Sequence, residues 1–357
     1  MTTMHDIARA AGVSQAAVSY AYNQPQKLSA ARREHILKVA AELGYAGPNP
    51  AGRNLRTGQV GAIGLMITDS LQYAFDDPAA GELLKGISHV GELAEIALTL
   101  LPCPLESLRG AEGSGVLVRG AVDGFLVYAM PEGHPGIQVA LTRQLPMVIV
   151  DGPNPGGLSR VGIQDRTAAE AAAEHVLSLD HTEVGILLER LVPDGKSGRV
   201  SRARITAARD HVNRERLAGY SETLRRHKIR SSTVPIFEAG GYGVEATRAA
   251  ARDLLAAQPL TAVIAASDAL ALAVIAEARE RGLRVPQDLS VIGFDDIPAA
   301  EAAGLTTMRQ PLVEKGKQSA RLLLDIINGE PGREILLPTE LVVRDTTALA
   351  PVRAKAG

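Results

Sequence analysis

At 357 residues, 46% hydrophobic and 22% charged, the chain has the size of two or three domains and the composition of a globular protein, not a disordered one. No run approaches the ~18 uninterrupted apolar residues of a membrane helix. The opening MTTMHDIARA lacks the pattern of a signal peptide, and the single cysteine, Cys103, excludes an internal disulfide and argues against a cysteine-ligated metal, so a reducing cytoplasm is expected.

The formal charge of −2 conceals an asymmetry. Residues 1–58 hold seven Lys and Arg against three acids, a balance of +4 that leaves −6 for the remainder. A small basic head on an acidic body is the pattern of a DNA-binding module joined to a domain of another kind.

In chain order, His5 to Ala11 reads as a short helix with Ile7, Ala8 and Ala11 on one face. Gly12 can end it in a left-handed conformation. Ser14 suits an N-cap for a second helix, Gln15 to Tyr22, with Val18 turned inward. Ala8, Gly12 and Val18 stand at the spacing of a helix-turn-helix, in which close crossing needs a small residue, a turn glycine and a branched apolar residue. Ser29 can cap a third helix, Ala30 to Leu43, striped by Ile36, Val39, Ala40 and Leu43 and stopped at Gly44. Asn49 and Pro50 would then open a short helix that Gly58 ends.

The strings HDIARAAGVSQAAVSYAYN, LSAARREHILKVAAELGY and NPAGRNLRTG, in this order and spacing, resemble the lac-repressor and galactose-repressor family. The resemblance implies a head at 1–47, a hinge helix at 48–58 and an effector-binding and dimerisation domain at 59–357. It places the second helix in the major groove, with Gln15, Ala16 and Tyr20 facing bases. Ser14, Ser19, Asn23, Ser29 and Arg32 match positions that hold phosphates. Leu55, with Arg53 beside it, matches the hinge residues that enter the minor groove, where a leucine wedge kinks the duplex. Two departures stand out. Tyr20 replaces the family's usual Arg, which puts a guanine contact in doubt, and Gly52 replaces an Ala at a cost of about 1 kcal/mol of helix propensity. A hinge that is disordered away from DNA is therefore expected.

From Val60 the chain alternates apolar strands with helices. VGAIGLMIT is nearly continuous in apolar residues, as a parallel strand covered on both faces should be. IALTLL, DGFLVYA, MVIVDG, RVGI, VGILL, AVIAAS and SVIGFDD are further strands. RTAAEAAAEHVLSL, RERLAGYSETLRRH and DALALAVIAEARERG are helices between them. This alternation predicts doubly wound parallel sheets.

PMVIVDG, RERLAGY, the long run from Ser267 to Asp296, TTMRQP and LPTELVVRDTTA are similar to the same family's effector domain. The implied fold is an all-α helix-turn-helix head plus a two-lobed α/β domain like the periplasmic binding proteins. Its lobes are expected at about 59–161 with 310–335, and about 162–309 with 336–350; 70–120 and 189–213 give no firm match. Ligand contacts in such folds come from loops at the carboxyl ends of strands. The candidates are Thr68, Asp69, Tyr73, Phe75, Tyr128, Asp151, Arg216, Tyr242, Asp268 and Asp295, and the resemblance assigns effector contact most firmly to Arg216, Asp268 and Asp295. A carboxylate can accept two vicinal hydroxyls, an Arg fork can donate to ring oxygens, and an aromatic face can cover a sugar ring. The plainer alternative is that Asp268 and Asp295 cap the helices that follow them.

Other signals do not assemble. Gly195-Lys196-Ser197 lacks the phosphate loop's first glycine, since position 190 is Arg190, and no Gly-x-Gly-x-x-Gly or His-Glu-x-x-His run occurs. The arginines from Arg199 to Arg216 read as a solvated face. Cys103 reads as a packed residue, and no nucleophile has a matching base. No cofactor, metal or enzyme activity is expected. The resemblance implies a cytoplasmic, nucleoid-associated homodimer on pseudo-palindromic operator DNA, repressing carbohydrate-utilisation genes until a sugar-like effector releases it. A purine-like corepressor, an activator, or a sugar receptor without DNA function stay open as alternatives.

Overall fold

The structure is a computed structural model that describes residues 2–47, 60–68, 71–90, 95–104, 115–154 and 157–351. The hinge positions Arg53 and Leu55 and the candidate Asp69 lie outside these, as does the side chain of Tyr73. The chain divides into two compact units, Met1–Gly61 and Ala62–Gly357.

In the head, helix α1 (Met4–Ala10) begins with a capping box. Thr3 accepts the Asp6 N–H while the Asp6 carboxylate accepts the Thr3 N–H at 2.9 Å. Gly12 at φ +64° makes the turn, and the Ser14 hydroxyl accepts the Ala17 N–H at 3.2 Å to start α2 (Gln15–Asn23). Ser29 caps α3 (Ala30–Glu42) in the same way. Ile7, Val18 and Ile36 are fully buried where the three helices meet, with Ala8, Ala17, Ala21 and Ala40 packed around them. The alanines let the axes approach closely. The three larger side chains each contribute about 1.5–3 kcal/mol of transfer free energy.

The second unit holds two sheets. The first joins β1 (Ala62–Thr68), β2 (Ala97–Cys103), β3 (Phe125–Tyr128), β4 (Met147–Val150), β5 (Ser159–Gly162) and a late strand, β12 (Glu334–Leu336). Their order is β12-β5-β4-β3-β1-β2, parallel throughout. The second contains β6 (Val184–Leu188), β7 (Gly198–Arg199), β8 (Ile236–Glu238), β9 (Ala262–Ala265), β10 (Ser290–Asp295), β11 (Thr306–Arg309) and β13 (Glu340–Val342). Their order is β13-β11-β10-β9-β6-β8-β7, with only the edge strands β13 and β7 antiparallel. The chain passes between the sheets three times, after β5, after β11 and after β12. Strands β7, β8, β11, β12 and β13 are absent from the sequence-based expectation; they are two to four residues long and, unlike the equally short β3, β4 and β9, are not unbroken apolar runs.

Long helices cover the sheets: α4 (Pro78–Ser88), α5 (Asp165–Leu177), α6 (His211–Arg226), α7 (Val244–Ala257), α8 (Asp268–Glu280) and α9 (Leu312–Ile327). Small residues let them pack closely. Where α4 crosses α9, a Cβ on Gly316 would lie 2.2 Å from the Leu83 carbonyl oxygen, so only glycine fits. Ala168, Ala169, Ala172 and Ala173 of α5 are all buried, a small-residue face that lets the helix approach its neighbours closely.

Candidate functional site

On the head, α2 divides into two faces. Ala17, Val18 and Ala21 are buried, whereas Gln15 and Ala16 are exposed and Ser19, Tyr20 and Asn23 half-exposed. Gln15, Ser19 and Asn23 recur every four residues, as do Ala16 and Tyr20 beside them, so the five form one stripe on the outer side of the helix. Asn23 Nδ2 donates to the Ser19 carbonyl at 3.1 Å, which fixes the amide at the end of that stripe. Ser14 and Ser29 are exposed but their hydroxyls already serve as helix caps. Arg32 is exposed, while the neighbouring Arg33 is tied back to α2 by donating from Nε to the Ala21 carbonyl at 3.1 Å. Lys27 was not singled out by the sequence. Its Nζ lies 5.0 Å from the centre of the Tyr20 ring, bringing a cation to the outer stripe.

In the second unit a cleft opens at the carboxyl ends of the strands, beside the points where strand order reverses: between β1 and β3 in one sheet and between β6 and β9 in the other. Tyr128, Ala129 and Asp151 line it from the first sheet. Glu189, Asn213, Arg216, Tyr242, Ser267 and Asp295 line it from the second, and Gln310 lines it where the chain crosses back. Three of these strand ends hold non-glycine residues at positive φ: Ala129 (47°), Asp151 (50°), and Asp295 (115°) followed by Asp296 (59°). Such conformations cost on the order of 1–3 kcal/mol each and gather at binding sites, where they aim side chains that relaxed backbone would not.

The cleft's polar groups form a continuous network. Arg216 donates from Nε to Asp165 at 3.0 Å and lies 3.4 Å from Asp295 Oδ1, with its guanidinium 3.6 Å from the centre of the Phe294 ring. Gln310 Nε2 donates to Asp295 Oδ1 at 2.6 Å, and its Oε1 accepts from the buried ammonium of Lys315. Lys315 in turn donates to Asp151 Oδ2 at 2.6 Å. A second connection runs from Arg190 Nη2 to Thr68 Oγ1 at 3.2 Å, with the same guanidinium 4.9 Å from the centre of the Tyr242 ring. Burial pushes the Asp295 carboxyl well above the usual range, and the Arg216 charge opposes this; burial also raises Glu189.

Of the sequence candidates, the structure brings Tyr128, Asp151, Arg216, Tyr242 and Asp295 together in the cleft. Thr68 is buried behind its lining and serves Arg190. Asp268 is turned away: its carboxylate accepts the Ile297 N–H at 2.9 Å and the Thr307 hydroxyl at 2.6 Å, against the face of Gly293. It is a carboxylate at a strand's carboxyl end, but its partners lie within the second lobe. Capping of α8 falls to Ser267, not Asp268. Phe75 is 71% exposed and covers nothing in the cleft. Glu189, Asp210, Asn213, Gln310 and Lys315 were missed. Three of them lie in 189–213, and Gln310 and Lys315 lie at the crossover into α9, where a helical stripe conceals one inward lysine.

Three comparisons bear on this geometry. Residues 3–49 match the profile of bacterial regulatory proteins of the lacI family, and residues 173–347 match that of the periplasmic binding protein-like domain. The HTH-type transcriptional regulator Rv3575c of Mycobacterium tuberculosis is 39% identical over 353 residues, covering 98% of this chain and 97% of that protein. Among solved structures, a lac repressor dimer bound to operator and the anti-inducer ONPF superposes with a TM-score of 0.77, at 25% identity over 97% of this chain and 99% of that one. A complex of the regulator CelR with cellobiose gives 0.66 at 26% identity, covering 97% and 100%.

Proposed function

This chain belongs to the lacI family of bacterial regulatory proteins, and from that premise we propose that it is a repressor whose hold on operator DNA is set by a sugar-like ligand in the cleft. That it is a DNA-binding, ligand-responsive transcriptional regulator and not an enzyme follows from the family. Repression, carbohydrate-utilisation genes as targets, and a sugar as the effector are the finer reading.

The observation that carries it is the composition of the cleft. Asp151 and Tyr128 come from one lobe, and Asp295, Arg216 and Asn213 from the other, around a free volume of about 80 Å³. Small-molecule sites usually run to roughly 300–1,000 Å³. A ring-sized ligand therefore has to part the lobes or displace side chains, so its binding free energy depends on lobe position. A ligand that favours one lobe arrangement shifts the population toward it and can change DNA affinity only by that differential affinity. The carboxylates suit vicinal hydroxyls, and the Tyr242 ring offers an apolar face. CelR was solved with cellobiose, a ligand of this kind.

On the DNA side, Gln15 is suited to a bidentate pair with adenine, and Ala16 and Tyr20 to thymine methyls. Ser14, Ser19, Asn23, Ser29 and Arg32 hold phosphates, and Arg53 and Leu55 enter the minor groove at the centre of a pseudo-palindrome bound by a homodimer. Such a regulator works at the nucleoid.

The test is a thermal-shift screen of the full chain against sugars, glycosides and nucleobases. A ligand at ~100 times its dissociation constant adds about 2.7 kcal/mol to stability. Asp295→Asn should then abolish the response of DNA binding to the sugar that scores while leaving operator affinity intact. A nucleobase as the only ligand would favour the corepressor reading instead.

A further inference from the structure

Among the described residues, six carboxylates line the cleft, those of Asp76, Asp77, Asp151, Glu189, Asp210 and Asp295, against one cation, Arg216. That cation is already engaged by Asp165 and Asp295. Two more cations stand in the wall behind the lining, and both are held: Arg190 is 3.4 Å from Asp210, and Lys315 is 2.6 Å from Asp151. The balance of the cleft and its wall is negative, and each cation in it has a carboxylate partner.

The backbone offers no better welcome to an anion. Helix N-termini are where phosphates usually sit, on unsatisfied N–H groups at the positive end of the dipole. Four such termini meet the cleft. Asp77 caps the start of α4 by accepting the Ala79 N–H at 3.0 Å, and Asp210 caps α6 by accepting the Asn213 N–H at 3.1 Å. The third, at Val244, has no side-chain cap but carries Glu245 in its first turn. The fourth, at Asp268, is capped by the neutral Ser267 hydroxyl, which accepts the Leu270 N–H at 3.3 Å; at the other three the chain's own carboxylates stand where a ligand's phosphate would go. What the cleft has in surplus is acceptors. Asp151 Oδ1 is buried and accepts no hydrogen bond.

We infer that this cleft selects an uncharged polyhydroxylated ligand and excludes its phosphorylated and carboxylated counterparts. The inference rests on the reading of the cleft as the effector site. A ligand hydroxyl can donate to Asp151 Oδ1 and to the other carboxylates, whereas an anionic group brings no donor. At an effective dielectric near 20, one pair of like charges about 7 Å apart weakens binding by a factor on the order of 50. A phosphate near neutral pH carries about −1.5 to −2 charges and faces several carboxylates at once.

The test is calorimetric titration of the full chain at fixed ionic strength with matched series: ribose and ribose 5-phosphate, glucose with glucose 6-phosphate and glucuronate, and cellobiose with cellobionate. The expected result is that each neutral sugar that binds does so at least tenfold more tightly than its anionic counterpart. An anionic member that binds as tightly as its neutral parent, or more so, overturns the inference. If nothing in either column binds, the sugar reading fails, and the charge argument is decided separately by Glu189→Gln. Removing one buried negative charge should raise the midpoint of thermal unfolding at pH 8; a lowered midpoint would overturn the claim that the cleft is overfilled with negative charge.

Discussion

Lys315, fully buried on the inner side of α9, donates its ammonium to Asp151 Oδ2 at 2.6 Å, across 164 residues of sequence. Asp151 ends a strand of the first sheet, and Lys315 lies just beyond the crossover from the second, so the pair sits where the lobes join. Removing the lysine alone leaves a buried carboxylate with no counter-ion. Lys315→Met should therefore destabilise the chain by about 3–5 kcal/mol, read as a shift of the urea midpoint. Adding Asp151→Asn to Lys315→Met should recover part of that loss. A double variant whose loss equals the sum of the Lys315→Met and Asp151→Asn losses would show that the pair does not couple.

The α4–α9 crossing predicts a steric penalty of a different kind. A Cβ on Gly316 would stand 2.2 Å from the Leu83 carbonyl oxygen, and one on Gly86 2.0 Å from that of Val313. Backbone cannot yield there without separating the helices. Gly316→Ala should cost about 1–3 kcal/mol despite the better helix propensity of alanine, measured by chemical denaturation. A neutral or stabilising result would mean that the two helices do not pack this closely.

Asp268 predicts a pH dependence. Burial pushes its carboxyl up to about 7, with the Thr307 hydroxyl and the Ile297 N–H pulling the other way. An acid whose folded pKa lies above its unfolded value binds more protons when folded, so its contribution to stability grows as pH falls from about 7 toward 4. Integrated over that window the effect reaches about 4 kcal/mol at most. Asp165, Asp295 and Glu189 are raised in the same sense, whereas His175, His181 and His211 are lowered by burial and act oppositely below pH 6.5. The diagnostic is therefore a difference. Asp268→Asn should show a flatter dependence of unfolding free energy between pH 7.5 and about 5 than the parent. Parallel curves would remove Asp268 as a titrating group.

The outer stripe of α2 separates two kinds of DNA contact. Gln15→Ala should weaken binding to the preferred site by about 1–3 kcal/mol and relax the sequence preference at one base pair, with the salt slope unchanged. Arg32→Ala should weaken binding to all sequences alike and lower the salt slope by about 1. Fluorescence anisotropy at several salt concentrations distinguishes the two. If both variants behaved alike, α2 would not be the reading helix.

Much of this architecture is legible in the sequence because it rests on local rules. Ser14 and Ser29 announce helix starts by their capping chemistry, and Gly12 announces the turn. Strands such as Ala62–Thr68 announce themselves by unbroken apolar character. In the cleft, Asp151, Arg216 and Asp295 can be found because they lie beside strong strands or a matched string. Asp268 and Phe75 show the limit of that logic. A residue's place after a strand says nothing about whether its side chain turns to the cleft, to Thr307, or to solvent. Lys315, Glu189 and Asp210 were hidden for the converse reason. Their role depends on which helix or loop packs opposite them, and that is a property of the tertiary fold rather than of any window of sequence.

The central claim is that the head reads a symmetric operator, and it can be tested without knowing the effector. The full chain is used to select duplexes from a random-sequence library at physiological salt, and the retained pool is sequenced. The account predicts an enriched inverted repeat with half-sites about one helical turn apart. A pool with no shared sequence, retained only in proportion to its charge, would contradict it.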